Sequence, residues 1–285
     1  MLINVLVAGC VLGGVYAIVA SGLSLIFGVM RVVNFAHGQF LMIGMYLVFW
    51  TNTLLGWPVY VTSVVVIPAL FILGWLSEKF VVEPVIHADS SAQLLTTFGL
   101  GLGIQYIVAI LWTETPRSVN VPVHTFAIGS VQFSTTDFVT MGGVIVTFLI
   151  LYGILNGTKL GTMIRAVSQN PTAARLTGIK VSRINALTFG IGTALVGVAA
   201  VLLMPTYNVY PDVGSVFTVV AFITVIMGGF GSLRGAFVAA VILGVLDSVF
   251  GVYISNTLAQ ALTFLVFIIV LFIRPRGLFG QEARL

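Results

Sequence analysis

The sequence predicts an all-α fold, a polytopic transmembrane helical bundle of about 8–9 spans with some re-entrant or broken helices, oriented N-out and C-in. Only 7% of the 285 residues are charged and 59% are hydrophobic, whereas soluble domains carry about 25% charged residues. Uncharged runs cover residues 1–30, 184–211, 213–233 and 248–273, and each reaches the ~20 residues that cross a bilayer core as helix. The third observation is the asymmetric placement of the basic residues.

Nine hydrophobic segments stand out, at about 4–29, 38–53, 59–76, 93–112, 138–156, 185–204, 216–229, 236–253 and 257–273. With the N-terminus outside, alternation gathers Arg31, Lys79, Lys159, Arg165, Arg175, Lys180, Arg183, Arg234, Arg274, Arg276 and Arg284 on the cytoplasmic side. Only Arg117 stays outside. That bias follows the positive-inside rule and favours an odd number of crossings.

The external connections carry Trp57-Pro58, the stretch 113–136, and Tyr207, Tyr210 and Asp212 within 205–215. Alternation through Phe126, Ile128, Val131 and Phe133 predicts a short hairpin there. Gly9, Gly13, Gly14 and Gly22 in the first segment, and Gly99, Gly101 and Gly103 in the fourth, read as sites where helix backbones pack closely in lipid.

Val7-Ala8-Gly9-Cys10 has the look of a lipoprotein cleavage box, but no Lys or Arg precedes it and the apolar stretch is too short for a signal peptide. The first segment is therefore read as an uncleaved span. The net charge of +4 is scattered between spans and forms no basic face, which argues against a nucleic-acid partner. No metal site is expected.

One domain covers 1–285, with its longest cytoplasmic connection at 157–183. That connection holds five basic residues and no acidic one. Asn170-Pro171 has the grammar of an N-cap followed by proline at the first helical position, and Gly178 stands where a helix closes. Helices over Thr162–Ser168 and Pro171–Thr177 follow, making a rigid knob suited to docking on a moving partner.

The run from Gly161 to Ile179 resembles the coupling loop of permease subunits of branched-chain amino acid ABC transporters, the LivH type. Thr172-Ala173-Ala174, three residues and Gly178 match the importer signature Glu-Ala-Ala-x-x-x-Gly, with Thr in place of Glu. Packing rather than a carboxylate then carries any contact at position 172. The resemblance assigns coupling to Arg165, Asn170, Pro171, Ala173, Ala174 and Gly178.

Two further stretches resemble the same family, Gly28 to Phe40 and Met227 to Gly235, so the likeness runs from residue 1 to about 278. Both interrupt hydrophobic segments with glycine and polar residues. Such breaks are tolerated at membrane depth only beside protein or a wet cavity, and so mark candidate solute sites. The residues singled out for the path are Asn34, His37, Gly38, Gln39, Gly228, Gly229, Gly231 and Ser232, together with Asp247.

His37 has no Cys, Asp or Glu within ten residues, so a neutral imidazole holding the break is favoured over a ligand or proton relay. Asp247, the only acid in the last two spans, needs a cavity or an interhelical hydrogen bond. A charge there costs about 2.5–3.5 kcal/mol on insertion scales.

The family resemblance implies a second, related permease subunit, two ABC ATPase subunits and a periplasmic or extracellular solute-binding protein, in a bacterial inner membrane. ATP and Mg belong to the ATPases, because no Gly-x-x-x-x-Gly-Lys-Ser/Thr occurs in this chain. Expected solutes are leucine, isoleucine and valine, with urea or short amides as the alternative. A secondary transporter or channel needs coupling carboxylates or a polar filter that the spans scarcely supply. No catalytic set can be assembled from three histidines and eight acids.

Overall fold

The computed structural model describes residues 2–128, 131–275 and 277–279. Arg276 and Arg284, counted above with the cytoplasmic charges, lie outside them. All nine hydrophobic segments are helices: α1 (Leu2–Met30), α2 (His37–Leu55), α3 (Ser63–Ser77), α4 (Ser90–Trp112) and α5 (Thr135–Gly157), then α8 (Val181–Leu203), α9 (Val213–Gly228), α10 (Leu233–Tyr253) and α11 (Asn256–Ile273). Between α5 and α8 stand α6 (Lys159–Gln169) and α7 (Pro171–Leu176).

Among the described residues, seven helical stretches are long and apolar enough to cross a membrane. The others, over Val213–Gly228 and Leu258–Ile273, are shorter. At 1.5 Å per residue α9 spans about 24 Å, less than the ~30 Å hydrocarbon core.

The third stretch corrects the sequence reading. It runs unbroken from Val59 to Val85, because α3 continues through a π-helical turn at Glu78–Val82 and a 3-10 turn at Glu83–Val85. Lys79 therefore lies on a helix, not in a loop. Its ammonium stands 5.1 Å from the Trp75 ring.

The expected hairpin is present: β1 (Thr125–Ile128) pairs antiparallel with β2 (Val131–Ser134). Ser134 then starts α5 with a reciprocal cap, accepting from the Asp137 amide while the Asp137 carboxylate accepts from its own. Arg117 pairs with Val209 by backbone bonds of 2.9 and 2.8 Å, tying this face to the connection before α9. We call this the hairpin end and the opposite face, bearing α6 and α7, the knob end.

α1 is the spine. A Cβ added at Gly9 would lie 2.6 Å from the Val245 α-carbon, one at Gly13 would lie 2.7 Å from that of Val241, and one at Gly22 would lie 2.5 Å from the Gly192 carbonyl. Backbone contact this close is how helices gain dispersion energy in lipid, where apolar burial gives no drive. Gly99 and Gly103, by contrast, face open space, so the packing reading does not apply to them.

Candidate functional site

The knob is built by its own sequence. The Thr158 hydroxyl accepts from the Gly161 amide at 3.1 Å and opens α6, which at eleven residues is longer than the segment expected. Asn170 Oδ1 accepts from the Ala173 amide at 2.9 Å, with Pro171 at the first helical position of α7. The α7 helix ends with Ile179 N–H donating to Ala174 C=O at 3.1 Å and Gly178 N–H to Arg175 C=O at 3.0 Å. This Schellman closure needs a left-handed residue, and Gly178 has φ of +85°.

Within the knob the faces differ. Ile164, Val167 and Ala174 are buried, so Ala174 packs inward within the knob. Arg165, Asn170, Pro171, Thr172, Ala173 and Gly178 are exposed. Leu176, which sequence reasoning missed, is 87% exposed at the tip. The Arg165 guanidinium donates to the Leu155 carbonyl at the end of α5 and to Thr162 Oγ1. Arg165 thus clamps α6 to a membrane helix.

The first break folds back into the bundle. α1 ends at Met30 and Arg31 takes φ of +55°. By His37 the chain has returned to the bundle interior, where Nε2 lies 2.9 Å from the Val19 carbonyl. Val19 stands about 16 Å back along α1 from Met30. A carbonyl only accepts, so Nε2 carries the proton and His37 is a donor.

Asn34 Oδ1 accepts from the Ala36 amide at 3.0 Å, closing the turn. Asn34 and His37 are fully buried; they support the break and present no surface to a solute. Gly38 packs on the Gly214 carbonyl and donates to Thr218 Oγ1 at 3.1 Å. The Gln39 amide donates to Gln105 Oε1 and Ser215 Oγ, both at 3.2 Å, and its side chain borders a cleft between α4, α9 and α11.

The second break lies at the knob end. Gly229 and Gly231 take φ of +99° and +76°, Gly228 packs on the Gly235 backbone, and Ser232 Oγ caps α10 by accepting from Gly235 at 3.1 Å. Leu278 and Phe279 donate to the carbonyls of Met227 and Gly228 at 2.7 and 3.1 Å, so the chain after α11 straps this break down. The two breaks meet: Gly28 faces Gly231, and the rings of Phe27 and Phe230 are 4.4 Å apart.

Two larger cavities flank α1. One of about 950 Å3 at the knob end lies among α1, α5, α6 and α10, bordered by Ser24, Gly28, Asn156, Arg165, Gly231 and Arg234. Another, of about 830 Å3, lies toward the hairpin end among α1, α9, α10 and α11. Asp247 borders the second, and its Oδ2 accepts from Tyr16 OH at 3.0 Å. Both the cavity and the interhelical hydrogen bond expected for Asp247 are therefore present.

A family model described as "Branched-chain amino acid transport system / permease component" matches residues 5–271. The chain belongs to that family. The LivH branched-chain amino acid permease of Salmonella typhimurium is 32% identical, with 96% of this chain and 94% of that one covered. LivH of Escherichia coli K12 is 31% identical over similar shares, and BraD of Pseudomonas aeruginosa is 29% identical over 97% and 95%. Among solved structures, PsaBC from Streptococcus pneumoniae in complex with Fab superposes with a TM-score of 0.53 at 15% identity, covering 96% and 91%. That likeness supports the fold alone.

In this branched-chain amino acid permease family member, an apolar multi-pass bundle thus holds paired helix breaks beneath a folded knob. Residues beside the breaks and cavities that sequence reasoning missed are Tyr16, Gln105, Ser215 and Thr218. Each is an ordinary residue on an apolar helix, distinguished only by a partner far away in sequence, so no local signal marks it. Glu78 is the other omission: it is buried on the π-helical turn with both carboxylate oxygens unpartnered.

Proposed function

We propose that this chain is the transmembrane permease subunit of an ABC importer carrying leucine, isoleucine and valine across a bacterial inner membrane, N-out and C-in. The observation that carries the reading is the knob. Both of its short helices have side-chain N-caps, α7 is closed at Gly178, and Arg165 clamps α6 to the end of α5, so a push on it is transmitted to the membrane helices. Family membership over residues 5–271 supports the solute class.

In this reading the chain pairs with a second, related permease, and two ATPase subunits holding ATP and Mg grip the knob. An external binding protein delivers solute. The chain itself holds no cofactor and performs no catalysis: ATP-driven closure of the ATPases moves α6 and α7, and the bundle re-packs about the paired breaks. Among the described residues, Arg31, Lys79, Arg234, Arg274 and the basic residues of 157–183 all fall toward the knob end, with Arg117 opposite, consistent with a cytoplasmic knob.

The test is reconstitution of the assembled complex in vesicles. Leucine delivered by the binding protein is expected to stimulate ATP hydrolysis and enter the vesicles, and urea is expected to do neither. Leucine uptake by the purified chain without ATPases, or stimulation by urea alone, overturns the reading.

A further inference from the structure

Asp247 stands in an unusual electrostatic setting. It borders the 830 Å3 cavity and a neighbouring one of about 650 Å3 that shares Tyr207, Asp247 and Gln260. Among the described residues no Lys, Arg or His lines either, and Asp247 is the only acid that does. A carboxylate within a span persists where it has a partner or water. The Tyr16 phenol supplies one donor, against the roughly four acceptor sites of a carboxylate.

The rest of the wall is also specific. Val216, Val220, Ile223, Leu243 and Phe264 form an aliphatic and aromatic side. Opposed to Asp247 in chemistry are neutral groups, Asn208, Ser215, Gln260 and Thr263, of which Thr263 Oγ1 is buried with no hydrogen-bond partner.

We propose that this cavity is a recognition site for a zwitterionic aliphatic amino acid, in which Asp247, held by Tyr16, binds the ammonium group. The solute carboxylate takes the neutral donors Asn208, Gln260 and Thr263, and the branched side chain lies on the apolar wall. This rests on the importer reading and sharpens it, because urea and short amides carry no cation for Asp247. Tyr16 is a positioning residue, acting through the carboxylate.

The test uses a cysteine at the cavity mouth as reporter: Thr206→Cys in a Cys10→Ala background, within the assembled nucleotide-free complex. Labelling by a membrane-impermeant maleimide is timed with leucine, with isoamylamine, which keeps the ammonium and tail, and with 4-methylpentanoate, which lacks the ammonium. Leucine and isoamylamine are expected to slow labelling and 4-methylpentanoate is not. In Asp247→Asn the concentration giving protection rises about tenfold or more, the loss of a charge-assisted hydrogen bond.

Equal protection by all three compounds, protection by none, or protection unchanged in Asp247→Asn overturns the site. The ligand comparison is made with Asp247 intact, so it does not depend on how the variant folds. ATP-driven leucine uptake by the same complex is measured separately. Uptake without ammonium-dependent protection removes this site and leaves the importer reading standing; protection without uptake does the reverse.

Discussion

Gly28 and Gly231, from opposite halves of the sequence, face each other so closely that a Cβ on either would lie 3.4 Å from the other's α-carbon. The two helix breaks are therefore one structural unit, and the distance and dihedral angles make separable predictions.

At Gly28 the added methyl reaches ordinary van der Waals contact, so Gly28→Ala is expected to keep near-native thermal stability. Gly231→Ala has the same space but φ of +76°, and is expected to cost about 1 kcal/mol. Gly28→Leu puts a bulky side chain between Gly231 and the 950 Å3 cavity, where it wedges the two breaks apart, and should lower uptake. Thermal unfolding of the detergent-solubilised chain and vesicle uptake check these outcomes.

The knob separates folding from contact. Asn170→Ala removes the cap on α7 and is expected to destabilise that helix by about 1 kcal/mol, seen as faster amide hydrogen exchange over 171–176 with the membrane helices unchanged. Gly178→Val should do at least as much, because φ of +85° is strained for a β-branched residue.

Leu176 should behave oppositely. It is 87% exposed, so Leu176→Asp is expected to leave thermal stability within about 0.5 kcal/mol while lowering solute-stimulated ATP hydrolysis several-fold. Ala174→Leu, at a buried position, should instead disturb the knob itself.

Much of the fold is legible in the sequence because membrane helices announce themselves. All nine hydrophobic segments are helices, the cap at Asn170 and the closure at Gly178 follow from local turn chemistry, and the hairpin strands follow from alternation through Phe126, Ile128, Val131 and Phe133. What escaped depends on long-range contact. The meeting of Gly28 with Gly231, the Tyr16 hydrogen bond to Asp247 and the inward face of Ala174 are set by packing between distant segments. The extension of α3 through Glu78 escaped for a different reason: Glu78, Lys79 and Glu83 read as a polar loop, whereas helical turns carry them onward.

His37 offers a test of support against solute contact. Its proton on Nε2 satisfies the Val19 carbonyl from full burial. His37→Phe removes this second hydrogen bond from a carbonyl that still accepts within α1, and is expected to cost about 0.5–1.5 kcal/mol. His37→Gln, which keeps a donor, should recover part of the loss, and neither should alter which solutes are carried. A change of solute preference in His37→Gln would count against the supporting role.

The knob is expected to lie in the cell interior in the grip of an ATPase. The most direct measurement places a cysteine at exposed Thr172, with Cys10→Ala, and compares maleimide labelling in inside-out and right-side-out vesicles. Labelling confined to inside-out vesicles, and suppressed when the ATPase subunits are bound, is the predicted result; labelling from the outer face would contradict it.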